Sequence, residues 1–157
     1  MARKLAIAAL VAARLLAQDL YKGPYPPKPN LPYIVHADNL IETESKTAHE
    51  QTTKNATIYT VDGDKSTART PLANPTLVID ATTLDAEKLA LFRFDIKNGH
   101  REVTLRQDGK GGSVPLHIET TKVSGHLYQI RVVDSLANGE YGLSPDGSND
   151  AFCFEVF

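Results

Sequence analysis

Five histidines, two Asp-rich turns and one cysteine are the residues of this chain whose types and spacing bear on chemistry. The histidines are His36, His49, His100, His117 and His126. No two stand in the H-x-H or H-x-x-x-H spacing that brings two imidazoles to one metal. His117 and His126 flank an expected hairpin and form the one pair such a turn would draw together. Two strand-end histidines in solvent are the plainer reading. Asp62-Gly-Asp64-Lys-Ser66 and Asp146-Gly-Ser148-Asn-Asp150 place oxygen side chains at alternate positions, as calcium loops do. Both lack the glycine at position six and the glutamate at position twelve of an EF-hand loop, and these residues are also what turns use.

Nucleophilic chemistry finds no better support. Cys153 is the single cysteine, so it forms no internal disulfide. Its place between Phe152 and Phe154 predicts a buried structural thiol. No G-x-S-x-G elbow frames a serine. Gly109 to Gly112 joins two expected strands and opens no helix, so it does not cradle phosphate. Glu42 and Glu44 fall in a polar stretch, where solvation is the default. The expectation is a protein that is not an enzyme, with no cofactor and no metal.

Charge and the N-terminus say more about location. The 157 residues carry 17 basic and 19 acidic side chains, a balance that suits solubility and lacks the basic stripe that nucleic acid requires. MARK opens the chain, LAIAALVAA follows, and ARLLA closes the run. A basic start, a short apolar core and an Ala-rich exit are the parts of a secretory signal. Residues 1–17 are therefore read as a signal peptide cut after Ala17, with Ala13 the second choice. Arg14 interrupts the apolar run. A retained anchor is the rival, but Leu5 to Ala13 is far short of the ~20 residues that span a bilayer. Removal of the leader leaves 14 basic against 19 acidic groups, and places the mature protein outside the cell, on its surface or in the periplasm.

Tyr21 to Pro32 holds five prolines in twelve residues. Proline fixes φ and lacks an amide donor, so residues 18–41 are read as an extended arm, either a spacer or a docking element. Within it Tyr33 to Ile41 predicts a first strand. Glu42 to Lys54 is polar and Thr-rich and predicts a long loop or frayed helix. Asn55 opens an N-glycosylation sequon, which matters only in a host that modifies exported proteins.

From Ala56 onward the pattern is β. Phe92, Phe94 and Ile96 alternate with Arg93, Asp95 and Lys97; Val103 with Leu105, Tyr128 with Ile130 and Val132, and Phe152 with Phe154 and Val156 repeat the period of two. Expected strands run Ala56 to Val61, Thr76 to Asp80, Leu89 to Lys97, Arg101 to Arg106, Val114 to Lys122, His126 to Val133, Glu140 to Ser144 and Ala151 to Phe157. Asn98-Gly99 and its counterparts mark the turns. Leu84 to Ala90 alone allows one helical turn. An outer-membrane barrel is disfavoured because Glu155 interrupts the terminal aromatic pattern and the strands are shorter than the ~9–11 residues a crossing needs. The fold class is an all-β antiparallel sandwich of 7–9 strands over residues 42–157.

LANGEYGLSPDGSNDAFCFEVF resembles the last two strands of bacterial immunoglobulin-like domains. Leu136, Gly139 and Tyr141 match the L-x-x-G-x-Y segment of that family. The resemblance implies an immunoglobulin-like sandwich in which the Tyr141 hydroxyl ties a corner to nearby backbone. The cysteine pair and core tryptophan of antibody domains are absent. The whole chain is also similar to exported bacterial proteins with a Pro-rich N-terminal arm.

Two functions fit this reading. In the first, the protein is a structural subunit that assembles with copies of itself into an extracellular filament. An arm carrying Tyr21, Tyr25, Tyr33, Ile34, Val35, Ala37, Leu40 and Ile41 adds as a strand to a neighbour's open edge. In the second it is a monomeric module that binds a surface glycan or protein. The same arm segment would then be a strand of its own domain.

Overall fold

The computed structural model describes residues 20–157. The leader and both of its cut sites lie outside these residues. The described chain is all β. The strands in order are β1 Tyr33–His36, β2 Asn39–Glu42, β3 Glu44–Thr47, β4 His49–Thr52 and β5 Ala56–Asp62. Then come β6 Arg69–Thr70, β7 Thr76–Asp80, β8 Leu89–Arg93, β9 Asp95–Lys97 and β10 His100–Arg106. β11 Ile118–Ser124, β12 Leu127–Val132, β13 Gly139–Pro145 and β14 Asp150–Val156 complete the set. A single 3-10 turn, Ala86–Lys88, is capped by the Asp85 carboxylate, which accepts from Glu87 N.

These strands form three sheets. The first runs β11-β12-β7-β1-β2, the second β3-β14-β13-β8, and the third β4-β5-β10-β9. Every ladder is antiparallel except the short β6, which lies parallel to β14. The main core lies between the first two sheets. Leu77, Ile79, Ile130 and Val132 meet Leu91, Leu143, Phe152 and Phe154, all essentially without solvent contact. The other side of β14 carries Ala151 and Cys153, which join Val61, Phe94 and Val103 in a second core beneath the third sheet. Fourteen short strands are present, more than the 7–9 expected of the sandwich, because the expected Leu89 to Lys97 strand is broken where it changes sheet, Tyr33 to Ile41 folds back on itself, and the segment expected as a loop adds two more.

Two such crossings build the third sheet. β3 becomes β4 through Ala48 alone, and β8 becomes β9 through Phe94 alone, both joints being buried. A strand that switches sheets in this way makes a corner. The expected Leu89 to Lys97 strand is accordingly two. The polar segment from Glu42 to Lys54 is neither loop nor frayed helix but the edge strands β3 and β4. Its alternation is invisible in the sequence because Ala48 is its one apolar side chain that turns inward. Val114, expected in a strand, is 74% exposed; Leu116 makes a single bridge to Leu91, and the β11–β12 ladder begins only at Ile118.

The first strand also differs. Tyr33 to Ile41 is a hairpin rather than one strand, with Ala37 at φ +52° in its two-residue turn. An Ala there gives no turn signal, unlike Asn98 and Gly99, whose positive φ values close the β9–β10 hairpin. β1 is paired on both sides, to β2 and to β7. The expected boundary between arm and sandwich, at 41/42, falls inside β2.

The Pro-rich stretch before β1 lies on its own domain. Tyr21 N donates to Gln129 Oε1 at 2.7 Å, and Pro26, Leu31 and Pro32 are buried. Asn30 takes a left-handed φ of +58°, and its Oδ1 accepts from the amides of Thr82, Thr83 and Leu84. Tyr33, Val78 and Gln129 share the outer face of the first sheet by their register, yet all three are buried. The strap accounts for that burial.

At the other end of the core the Tyr141 hydroxyl donates to Ala137 O at 2.7 Å, and its ring stacks on Phe154. Leu136 is buried and donates to Ala73 O. Gly139 leaves room for Arg93, whose Nη2 would lie 3.1 Å from an added Cβ. Tyr141→Phe keeps the ring and removes the bond to Ala137 O. It is expected to lower stability by about 1–2 kcal/mol, read as a shift of the urea midpoint at unchanged slope.

Candidate functional site

The outer face of the second sheet and the inner face of the third are lined by opposite kinds of chemistry at their two ends. At one end sits Arg101, on β10, with 1% of its surface exposed. Its Nε donates to Gly63 O at 3.0 Å, its Nη2 to Asp62 O at 2.7 Å, and its Nη1 to Ser66 Oγ at 2.8 Å. Nη1 also lies 2.8 Å from Glu44 Oε1 of β3, an ion pair rather than a well-aligned hydrogen bond. Ser66 Oγ and Ser66 N both donate to Glu140 Oε2 of β13, at 2.5 and 3.1 Å. The planar guanidinium suits this fork of acceptors. It joins both sheets and the β5–β6 loop.

This network reassigns the first Asp-rich turn. The Asp62 and Gly63 carbonyls and the Ser66 hydroxyl face an arginine, so these three oxygens already have a cation. The Asp62 carboxylate points outward, 3.5 Å from His49 Nε2 and 3.6 Å from His100 Nδ1, and all three side chains are well exposed. Sequence reasoning passed over Arg101, although a signal existed. Arg101, Val103 and Leu105 share one strand face, and a charged residue on an apolar face must find buried partners. Glu140 faces Glu155 across β13 and β14, and Glu155 is held apart from the network by Arg69 at 2.8 Å.

Where the network ends a groove begins. Val103 and Leu105 of β10 and Tyr59 of β5 form one wall; Ala90 and Phe92 of β8 and Gly142 of β13 form the other. Its volume is about 570 Å³, within the range of small-ligand sites. The Phe94 ring packs against the bare backbone of Gly142, where a Cβ would approach within 2.7 Å. The second Asp-rich turn, between β13 and β14, makes the rim: Pro145, Asp146, Ser148 and Asn149 line it. The Ser144 hydroxyl donates to Asp150 O, and Ser148 Oγ accepts from Asp150 N, so both rim hydroxyls are engaged with backbone.

The other expected site residues lie elsewhere. Ile34 is in the main core, Tyr33 is buried on the outer face beneath the strap, Tyr21, Val35, Leu40 and Ile41 are partly buried beside them, and Tyr25 and Ala37 are exposed. Asn55 is exposed in the β4–β5 turn. His117 and His126 sit at opposite ends of the β11–β12 ladder and do not meet. Among the described residues no three His, Cys, Asp or Glu side chains converge as metal ligands.

Cys153 is fully buried beside this network, directly opposite Glu44 in the β3–β14 ladder. Burial first, with Glu44 and Glu140 adding to it against Arg101, pushes its thiol from 9.0 up to about 12. A raised thiol contributes stability in full below pH ~9 and loses it as pH rises toward 12, because the unfolded thiol ionises first. Cys153→Ala is expected to flatten the fall in stability between those pH values, read from urea midpoints against the parent protein. Arg101→Met removes the cation from the Glu44 carboxylate and the donors from two carbonyls and the Ser66 hydroxyl, and is expected to cost about 3–5 kcal/mol by the same measurement.

No family model, curated protein or solved structure matches this chain.

Proposed function

We propose that this protein is an exported, non-enzymatic binding module built on an immunoglobulin-like sandwich, and that its ligand lies in the groove between the second and third sheets. The observation that carries this reading is the groove itself: aromatic and aliphatic side chains from β5, β8 and β10, held open by two one-residue corners and rimmed by polar turn residues. Apolar walls with a few polar groups at the mouth are the usual make-up of a ligand site. Export rests on the basic, apolar and Ala-rich pattern of residues 1–17. The immunoglobulin-like assignment draws support from the Tyr141 hydroxyl bond to the backbone four residues upstream.

The self-assembling filament is the weaker reading. It asks the segment from Tyr33 to Ile41 to complete a neighbour's sheet, and that segment already has β7 beside it and the main core beneath it. Freeing it would expose Ile34 and Tyr33 and leave the edge of β7 bare.

A neutral environment-sensitive dye, N-phenylnaphthylamine, is expected to bind saturably with enhanced fluorescence. Ala90→Phe, which fills the groove from its β8 wall, is expected to weaken the dye by about tenfold, equivalent to ~1.4 kcal/mol, with the melting temperature little changed. Absence of saturable binding, or binding indifferent to Ala90→Phe, would overturn the groove as the site.

A further inference from the structure

We propose that the ligand is an extended peptide that carries both apolar and Lys or Arg side chains on one of its two faces, added as a fifth strand beside β4 so that this face meets the groove. This rests on the groove reading above and names the chemistry of what fills it.

The charge of the rim comes first. Glu50, Asp146 and Asp150 line the groove against one cation, Lys88. A neighbouring hollow of about 450 Å³ shares Lys88, Asp146 and Asp150 and adds Asp85. Lys88 lies 3.8 Å from Asp85, so the lone positive charge already has a carboxylate. Low-dielectric walls concentrate such a field and favour a cation of the ligand at the mouth.

The sheet edges supply the second observation. Proteins protect an open edge with lysine, proline, a bulge or an added segment. β11 carries Lys122 and a register shift between Lys122 and Ser124. β3 carries Lys46, and β9 is three residues long with Lys97 at its end. β2 has the Lys28–Glu42 pair across it, and β8 is bridged at Leu91 by Leu116. β4 has none of these. His49, Glu50, Gln51 and Thr52 are all exposed, and β5 is their sole ladder partner among the described residues.

Glu50 unites the two features, since it belongs to the open edge and to the groove lining. A strand laid against β4 sends alternate side chains to the face that Glu50 occupies. Backbone bonds to β4 hold the peptide, the aromatic walls take its apolar residues, and the acidic rim selects its cations.

The test uses four probes on the folded protein: an octapeptide with Phe and Lys taking turns at every second position and Thr between them, its Glu-for-Lys counterpart, the Lys peptide N-methylated at alternate amides, and the neutral dye. The Lys peptide is expected to displace the dye, to bind about tenfold or more tighter than the Glu peptide, and to weaken with added salt. N-methylation is expected to abolish its binding. Glu50→Lys, at an exposed position, is expected to reverse the preference between the two charged peptides. Equal binding of both charged peptides would overturn the cationic ligand, and undiminished binding of the N-methylated peptide would overturn strand addition. Dye binding with no peptide binding would mean a small apolar occupant. A self-associated protein that the Lys peptide fails to dissociate would mean a second copy. Either result defeats this inference and leaves the groove in place, whereas failure of dye and peptides alike removes both.

Discussion

β14 is apolar on both faces, and the rest of the molecule follows from that. Phe152, Phe154 and Val156 point one way and Ala151 and Cys153 the other, and all five are buried. One covering sheet satisfies only half of such a strand, since alternate side chains point to opposite faces. The main core takes the three larger residues. The smaller pair demands a second cover, and the chain supplies it by carrying β3 and β8 around corners at Ala48 and Phe94 to form the third sheet. The hydrophobic term for each side is non-directional, so it accounts for the layering without fixing the angle between layers.

That angle is set by polar contacts. Arg101 ties β10 to β3, to the β5–β6 loop and, through Ser66, to β13. A buried ion pair is weak evidence for stability, because desolvation offsets much of its attraction. Its directional bonds can still choose one arrangement among several of similar apolar burial. Pinned at the Arg101 end, the second and third sheets leave the groove between Leu105, Phe92 and Ala90 at the other. The groove is thus the complement of the network. Phe94 lying against Gly142 limits how far the sheets close between them.

The first sheet solves the same burial problem with less structure. Val78 and Tyr33 alternate onto its outer face, where no further sheet lies. The Pro-rich strap covers them, and proline suits that role. It lacks the amide donor that would otherwise need a partner, and its restricted φ lowers the entropy lost on docking an irregular segment. Asn30, with one oxygen serving three loop amides, and Tyr21, bonded to Gln129, hold the two ends of the strap. A proline ladder that reads as a spacer or a docking element becomes an outer layer of its own domain.

The sequence alone determined the β class, most of the strands after Ala56, the Asn98-Gly99 turn and the buried character expected of Cys153. Each of these rests on a local signal: a period of two, a dipeptide that tolerates positive φ, or a thiol between two aromatic residues. Tertiary structure decided the number of sheets, the corners at Ala48 and Phe94, the role of Arg101 and the place where the groove opens. Alternation assigns a residue to a face and never says what covers that face. Phe92 and Phe94 read as one stripe of one strand, yet Phe92 lines the groove wall from the second sheet while Phe94 is the joint that leaves it. The partners of Arg101 lie between 35 and 57 residues away along the chain, and only folding brings acceptors so distant around one buried cation.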